Sequence, residues 1–283
     1  GAQNVTEIYG PAAEHDPINA LVMKAFEWNP DLPVQPFLLD LAHRQFGEAA
    51  GPLMYKAWEE IKRAFDVWND VTGPPFPLNG SQFHVKMGFS IGGLPPAIVP
   101  KIAEYYGSTI DILTAVEPWL TEGYRENKSA AFLEKMERMS AHLAEAASMA
   151  KSAVEAAPDD EPVGVSCYEG SADRPSRKRY AELNYASIAI AESLCRQRCN
   201  VLRAFRLLTG PEAPEQQEAY RELVRSDIGV QERFEALLAG FATMRPCYER
   251  TSLTEQEIAT FGDATRAKIA ELRAYLETAG SGE

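Results

Sequence analysis

The chain has 283 residues, of which 45% are hydrophobic, and carries a formal net charge of -13. This length and composition predict a globular protein with a sizeable buried core, whereas the acidic charge repels phosphate backbones and anionic lipid surfaces. No apolar run reaches the roughly 18 to 20 residues that a membrane-spanning helix needs. We therefore expect a soluble protein that binds neither nucleic acid nor a membrane, and the sequence leaves its cellular location open.

The chain begins with short helices that Pro and Gly residues interrupt. Between the first two, residues 28–33 read Trp-Asn-Pro-Asp-Leu-Pro, and Pro30 disfavours helical dihedral angles at Asn29, so the first helix ends just before it. Asp31 is expected to cap the second helix with its side chain, and Gly47 to end it in a left-handed conformation. The apolar period of 3.6 residues then predicts short helices at 17–27, 33–46 and 51–68.

A Gly/Pro-rich segment at residues 73–100 follows the short helices. From Phe83 to Ile91 apolar residues alternate with polar or small ones, which is the period of a strand. A strand needs a partner for its backbone N–H and C=O groups, and residues 4–10 are the other candidate in the sequence. The segment either pairs with them, lies as an extended loop against the helices, or pairs with something outside this chain.

The second half is dominated by long amphipathic helices joined by short connections. Their apolar residues recur every three or four positions and form one stripe along each helix. The predicted long helices are 129–157, 177–208, 214–238 and 254–279. Because short connections favour antiparallel neighbours, we predict an all-α fold, in which a short-helix region at 1–120 and a long-helix bundle at 121–283 form one continuous domain.

Charged and sulfur-bearing residues give no metal or cofactor signature. The basic run Arg174–Arg179 is expected to pair with the acidic run Asp159–Glu161, and an anion site there is the alternative. The four cysteines fit neither a disulfide framework nor a zinc spacing. Cys195 and Cys199, four apart on a predicted helix, are interpreted as packing thiols, and the histidines are scattered. We predict no metal site and no cofactor.

One stretch carries a family resemblance. Trp-Asn-Pro-Asp-Leu at residues 28–32, a helix that closes on Phe46 and Gly47, and a following helix that bears Trp58 together resemble the segment after the (β/α)8 barrel in several bacterial glycoside hydrolases, the alpha-glucuronidases and related uncharacterised families. In those enzymes the segment opens a helical C-terminal region beside the barrel. The resemblance implies an accessory helical domain, either part of a longer hydrolase or a stand-alone relative.

The sequence offers no catalytic pair of its own. A glycosidase needs two carboxylates about 5 to 9.5 Å apart across a sugar, whereas the adjacent pairs Glu59/Glu60 and Asp159/Asp160 are interpreted as solvated surface. The catalytic carboxylates of the resembling families lie on the barrel, and this chain shows no eightfold alternation of strands and helices. We therefore assign no catalytic residue.

The candidate contact residues are aromatic and polar side chains in irregular segments. Sugars stack their apolar C–H faces on flat rings, while their hydroxyls bond to amide, carboxylate and imidazole groups. For Trp28 the alternative is an indole that anchors the helix corner in the core; for the later group it is packing or contact with another domain. The candidates for carbohydrate or domain contact are Trp28, Asn29, Asp31, Phe83, His84 and Lys86.

The sequence thus predicts a non-catalytic accessory domain that packs beside, or extends, the catalytic barrel of a glycoside hydrolase. Its expected partners are the catalytic domain of the same polypeptide or carbohydrate. The alternative is a stand-alone helical module for protein interaction or for dimerisation as a homo-oligomer. A self-contained enzyme with a pocket between helices is a third possibility, which a ligand-dependent rise in melting temperature would reveal.

Overall fold

The computed structural model of the protein describes residues 17–72, 129–163, 175–209, 214–244 and 255–280. Within these residues it contains seven helices and no strand, which confirms the predicted all-α fold. The segment predicted as extended, 73–100, lies outside the described residues. The helices are α1 (Pro17–Trp28), α2 (Val34–Phe46), α3 (Gly51–Thr72), α4 (Ser129–Ala156), α5 (Arg177–Thr209), α6 (Pro214–Met244) and α7 (Glu255–Gly280).

The long helices pack in chain order. From α3 to α7 each helix packs against the next, and α2 packs against both α3 and α5. An ion pair between α5 and α6 joins Glu192 to Arg233, and a hydrogen bond joins Asn200 to Asp227. Since the residue number rises on one helix as it falls on the other, α5 and α6 are antiparallel, as the short connection between them predicts.

An aromatic cluster joins the short helices to the bundle. The Phe46 side chain is fully buried, stacks on Tyr180 with ring centroids 5.2 Å apart, and meets the edge of Trp58 at 5.9 Å. The ring therefore contacts α3 and α5 at once. Alanines surround it where the backbones come close, and the buried residues of this core include Ala42, Ala50, Ala57, Ala146, Ala150, Ala181 and Ala189.

Two glycines make the turn from α2 into α3 possible. Gly47 has a φ of +90°, in the region that favours glycine, which confirms its predicted role as the end of α2. Its N–H donates to the His43 carbonyl over 2.8 Å. At Gly51 an added Cβ would lie 2.8 Å from the backbone of His43. Any larger side chain would therefore push α3 away from α2.

The connection from α4 to α5 is tied at its base, which we call the neck (residues 158–163 and 175–178). An isolated antiparallel bridge pairs Pro162 with Ser176, and the Arg177 N–H donates to the Glu161 carbonyl over 2.8 Å. The Arg177 guanidinium also pairs with the Glu161 carboxylate, and Lys178 Nζ lies 3.7 Å from Asp159. The predicted local pairing of the basic and acidic runs is confirmed for these residues.

A second apolar cluster lies where α3, α4 and α5 meet. Cys195 and Cys199 are buried free thiols within it, and the Cys195 thiol lies 3.7 Å from the Met136 carbonyl oxygen. Both cysteines are packing residues, as the sequence predicts. The other buried members of this cluster are Ala64, Val67, Leu133, Met136, Met139 and Leu143.

Candidate functional site

The corner between α1 and α2 is held by local hydrogen bonds from the side chain and the backbone of Asn29. The Asn29 N–H continues the helix by donating to the Ala25 carbonyl over 2.9 Å. The Asn29 Oδ1 then accepts from the Asp31 N–H over 3.2 Å, and the Asn29 carbonyl accepts from the Leu32 N–H. This is the local turn that an Asn side chain favours. The conformation of the corner is therefore fixed locally by hydrogen bonds of Asn29.

Trp28 stands on this corner and faces outward. Its residue is 84% exposed, and Val34 beside the corner is 51% exposed; the two are the exposed large hydrophobic residues of the described chain. Beneath them Phe26 and Phe37 meet edge to face with ring centroids 6.0 Å apart, which holds α1 against α2. The packing function at this corner belongs to the two phenylalanines, and the indole ring remains available for contact.

The structure brings together three of the six predicted contact residues. Trp28, Asn29 and Asp31 share the corner and are all exposed. Two interpretations were wrong. Trp28 does not anchor the core, and Asp31 does not cap α2, because Pro33 occupies the N-cap position and no side chain bonds there. The other three candidates, Phe83, His84 and Lys86, lie outside the described residues.

A polar layer that the sequence analysis missed lies between α5 and α6. Asp227 of α6 is fully buried. Its Oδ1 accepts from Asn200 Nδ2 over 2.8 Å, and its Oδ2 lies 3.4 Å from Gln231 Nε2. Gln197 is buried as well. Because a buried carboxylate needs several donors to replace water, the amide side chains around Asp227 make its burial tolerable.

Two titratable groups, on α6 and α7, have pKa values to which Asp227 of this layer contributes. Burial lowers the pKa of the Lys268 ammonium, and the carboxylates of Glu271 and Asp227 act against that shift. Burial also raises the pKa of the Tyr220 phenol, with smaller contributions from Tyr275 and Asp227. The ring of Tyr220 contacts Tyr275 edge to face at 5.6 Å. The interface therefore favours a neutral phenol and resists a charged lysine.

A second buried carboxylate of α5 lies between two arginines. The Glu192 side chain is 1% exposed, its Oε1 lies 2.7 Å from Arg196 NH2, and its Oε2 lies 2.9 Å from Arg233 NH1 of α6. The side chains of Arg196 and Arg233 are 44% and 43% exposed. We call this group the arginine clamp. It links α5 to α6 and presents two cations to solvent.

The burial of Glu60 on α3 differs from the prediction made from the sequence. The sequence interpretation placed Glu59/Glu60 on the solvated surface, yet Glu60 is 8% exposed. Its Oε2 lies 2.7 Å from Nδ1 of His142 on α4, and its other oxygen pairs with Arg63. Like Asp227, Glu60 falls on the apolar stripe of its own helix. A polar residue on such a stripe is the sequence signal that would have found both.

The buried carboxylates of Asp227 and Glu192 are both enclosed by the side chains around them. Asp227 is held by amides in the core, and Glu192 is covered by guanidinium groups, so neither is an open general base beside a nucleophile. The described residues hold no group of three His, Cys, Asp or Glu side chains suited to a metal ion. Among the same residues, no helix is both long and apolar enough to cross a membrane.

An open groove of about 580 Å³ runs over the end of α5. The residues that line it include Leu133 of α4, Arg203 and Leu207 of α5, and Leu223 and Ser226 of α6. Arg203 does not project freely, because its NH2 lies 2.8 Å from Glu137. The groove is therefore a concave surface between neighbouring helices.

Comparison of the chain with protein-family models, with curated proteins and with solved structures finds no significant match.

Proposed function

We propose that this chain is a non-catalytic helical module that works by contact, and that the α1–α2 corner is its contact surface. The observation that carries the proposal is the exposure of Trp28 on a corner whose backbone is fixed by Asn29. Tryptophan is enriched among residues that dominate binding energy. A rigid corner also reduces the entropy that is lost when a partner binds.

The partner that we propose is the catalytic barrel of a glycoside hydrolase. The support is the sequence resemblance at residues 28–65, which starts at the same corner. An exposed indole beside Val34 gives a small apolar patch, and Asp31 adds a polar rim, which suits a contact between domains.

The test uses the product of the complete native reading frame. We expect that frame to encode a barrel with alternating strands and helices, and Trp28→Ala to lower the melting temperature of the barrel while the isolated helical chain unfolds as before. Glu27→Ala, an exposed neighbour on the same helix, is the matched control and should change neither. A reading frame without a barrel, or a barrel that Trp28→Ala leaves unchanged, would reject this partner.

A second candidate is a homodimer through the same corner, because Trp28 and Val34 of one copy can cover those of another. Sedimentation equilibrium of the purified chain measures this directly. A dimer that Trp28→Ala converts to a monomer would support self-association, and a monomer at high protein concentration would exclude it. Hydrolysis of aryl glycosides or uronides by the chain alone, abolished by one carboxylate substitution, would overturn the non-catalytic assignment itself.

A further inference from the structure

We propose that Arg196 and Arg233, the two cations of the arginine clamp, bind the carboxylate group of a small ligand at the surface where α5 meets α6. The site lies on other helices than the Trp28 corner and does not depend on the proposed function. Three observations carry the inference: an excess of positive charge, guanidinium donors that are not aligned with their internal partner, and open space beside them.

The charge count of the clamp exceeds what its structural role needs. One arginine is enough to neutralise the buried Glu192 carboxylate, yet the structure holds one on each of its oxygens. The acidic neighbour of Arg233 along α6, Glu232, lies 2.5 Å from Arg273 of α7 and is thereby directed to another cation. The clamp therefore keeps one net positive charge in a chain whose formal charge is -13.

The guanidinium donors are available for a further acceptor. Both nitrogens lie within ion-pair distance of Glu192, but neither oxygen of Glu192 receives a contact with hydrogen-bond geometry. The nitrogens nearest to the carboxylate, NH2 of Arg196 and NH1 of Arg233, are thus within ion-pair distance of Glu192 without hydrogen-bond alignment. Each guanidinium has five N–H donors, and both arginine side chains are more than two-fifths exposed.

Small residues leave room next to Arg233. Gly229 lies one helical turn before it on the exposed face of α6, and a Cβ added there would meet no atom of the described residues within 4 Å. Ala236 lies about one turn after it on the same side. A glycine inside a helix costs about 0.5 to 1 kcal/mol relative to alanine, and within the described part of the chain no packing contact of Gly229 accounts for that cost. An open backbone beside two cations is what a ligand that approaches closely would need.

The geometry favours a carboxylate over larger anions. A guanidinium fork matches the two oxygens of a carboxylate, which Glu192 does not use, because each of its oxygens lies near a different arginine. The strongly negative field of the whole protein opposes polyanions such as nucleic acids. A small ligand with one carboxylate carries the least charge into that field while it uses the donors of both arginines.

The experiment measures the Arg Nε–H resonances of the full chain while sodium acetate or sodium succinate is added at constant ionic strength. We expect shifts at Arg196 and Arg233 that saturate, and Arg233→Lys and Arg196→Lys to weaken binding at least tenfold. Lysine retains the charge that Glu192 needs, so these variants are expected to fold, which circular dichroism checks. Arg225→Lys is the matched control, since Arg225 is exposed on the same helix and pairs with Glu218 and Glu222.

A second variant tests the open space. Gly229→Glu places a carboxylate one turn from Arg233 and should compete with added succinate, whereas Gly229→Ala should leave binding within twofold of wild type. Binding that Lys variants and Gly229→Glu leave unchanged would overturn the site. Tighter binding of sodium phosphate than of succinate, or binding only of an acidic peptide, would overturn the assignment to a small carboxylate ligand.

Discussion

The interface of α2, α3 and α5 around Phe46 and the interface of α5 and α6 around Asp227 are both fully buried, yet they are built from opposite chemistry. The first consists of aromatic rings and alanines, and the second contains a carboxylate held by amide side chains. Helix α5 takes part in both. Apolar burial is not directional, whereas a hydrogen bond requires one alignment of the two helices.

The two interfaces therefore contribute differently to the fold, one to its stability and the other to its register. The Phe46 cluster supplies stability through area removed from water. The Asp227 layer supplies little net stability, because each amide bond replaces one to water, but it penalises a slipped register, in which the carboxylate would lie unpaired in the core. We therefore expect substitutions to affect the amount of folded protein in the first region and the uniqueness of its packing in the second.

Phe46→Ala is expected to produce the largest loss. Removal of a fully buried ring that contacts Tyr180 and Trp58 should lower the free energy of unfolding by about 3 to 5 kcal/mol, measured by urea denaturation. Trp28→Ala is the matched aromatic control and should change it by less than about 0.5 kcal/mol. Equal losses in the two variants would contradict the assignment of the core to Phe46 and of the contact surface to Trp28.

Asp227→Leu is expected to lower the free energy of unfolding by about 3 kcal/mol, because the Asn200 and Gln231 amides lose a buried acceptor. The triple variant Asp227→Leu/Asn200→Leu/Gln231→Leu should regain most of that loss, since no polar group is left unpaired. Its amide hydrogen exchange should be faster across α5 and α6 if the layer specifies register. A triple variant with the protection pattern of wild type would show that the apolar contacts fix the register alone.

Tyr220→Phe tests the burial of the Tyr220 phenol, whose ring contacts Tyr275 of α7, through the pH dependence of stability. Because the pKa of the folded phenol is raised, the folded state keeps a proton that the unfolded state loses above about pH 10. Stability from this group is therefore full below pH 10 and falls above it, by about 1.4 kcal/mol per pH unit. The variant should lack this component when urea denaturation is repeated from pH 9 to 11. Parallel curves for the two proteins would contradict it.

The smallest effect is expected for the Glu60–His142 contact between α3 and α4. A double-mutant cycle with Glu60→Gln and His142→Gln should give a coupling energy of about 1 kcal/mol, because Glu60 is buried. The exposed pair Lys62 and Asp66, with 2.6 Å between Nζ and Oδ2, is the control and should couple by less than about 0.5 kcal/mol. The reverse order would mean that burial does not strengthen the contact.

Most of the helical framework could be predicted because its signals are local. The stripe of α4 and the Pro and Gly residues around α2 and α3 place the helix ends within a few residues of those in the structure. Pairing of Arg177 and Lys178 with the acidic run was predictable for the same reason, since the neck is short. Local signals suffice where both partners are close in sequence.

The polar layer could not be predicted, since its partners depend on how two helices are aligned. Asn200 and Asp227 are 27 residues apart, and Glu60 and His142 are 82 residues apart. The apolar stripes indicate which faces meet but not at which register. The choice between contact and core anchoring for Trp28 could not be made from the sequence for a related reason, because Phe26 and Phe37, on either side of the corner, pair with each other and leave no packing role for the indole.

The neck between α4 and α5 has a consequence for where extra residues can be inserted into the chain. The bridge between Pro162 and Ser176, together with nearby backbone hydrogen bonds, joins the residues after α4 to the residues before α5. The neck therefore sets the spacing of α4 and α5 independently of residues 164–174. Each doubling of a loop adds only about 0.6 kcal/mol of closure entropy. We therefore expect that a reporter peptide or a whole guest domain can be inserted at this position without loss of the fold.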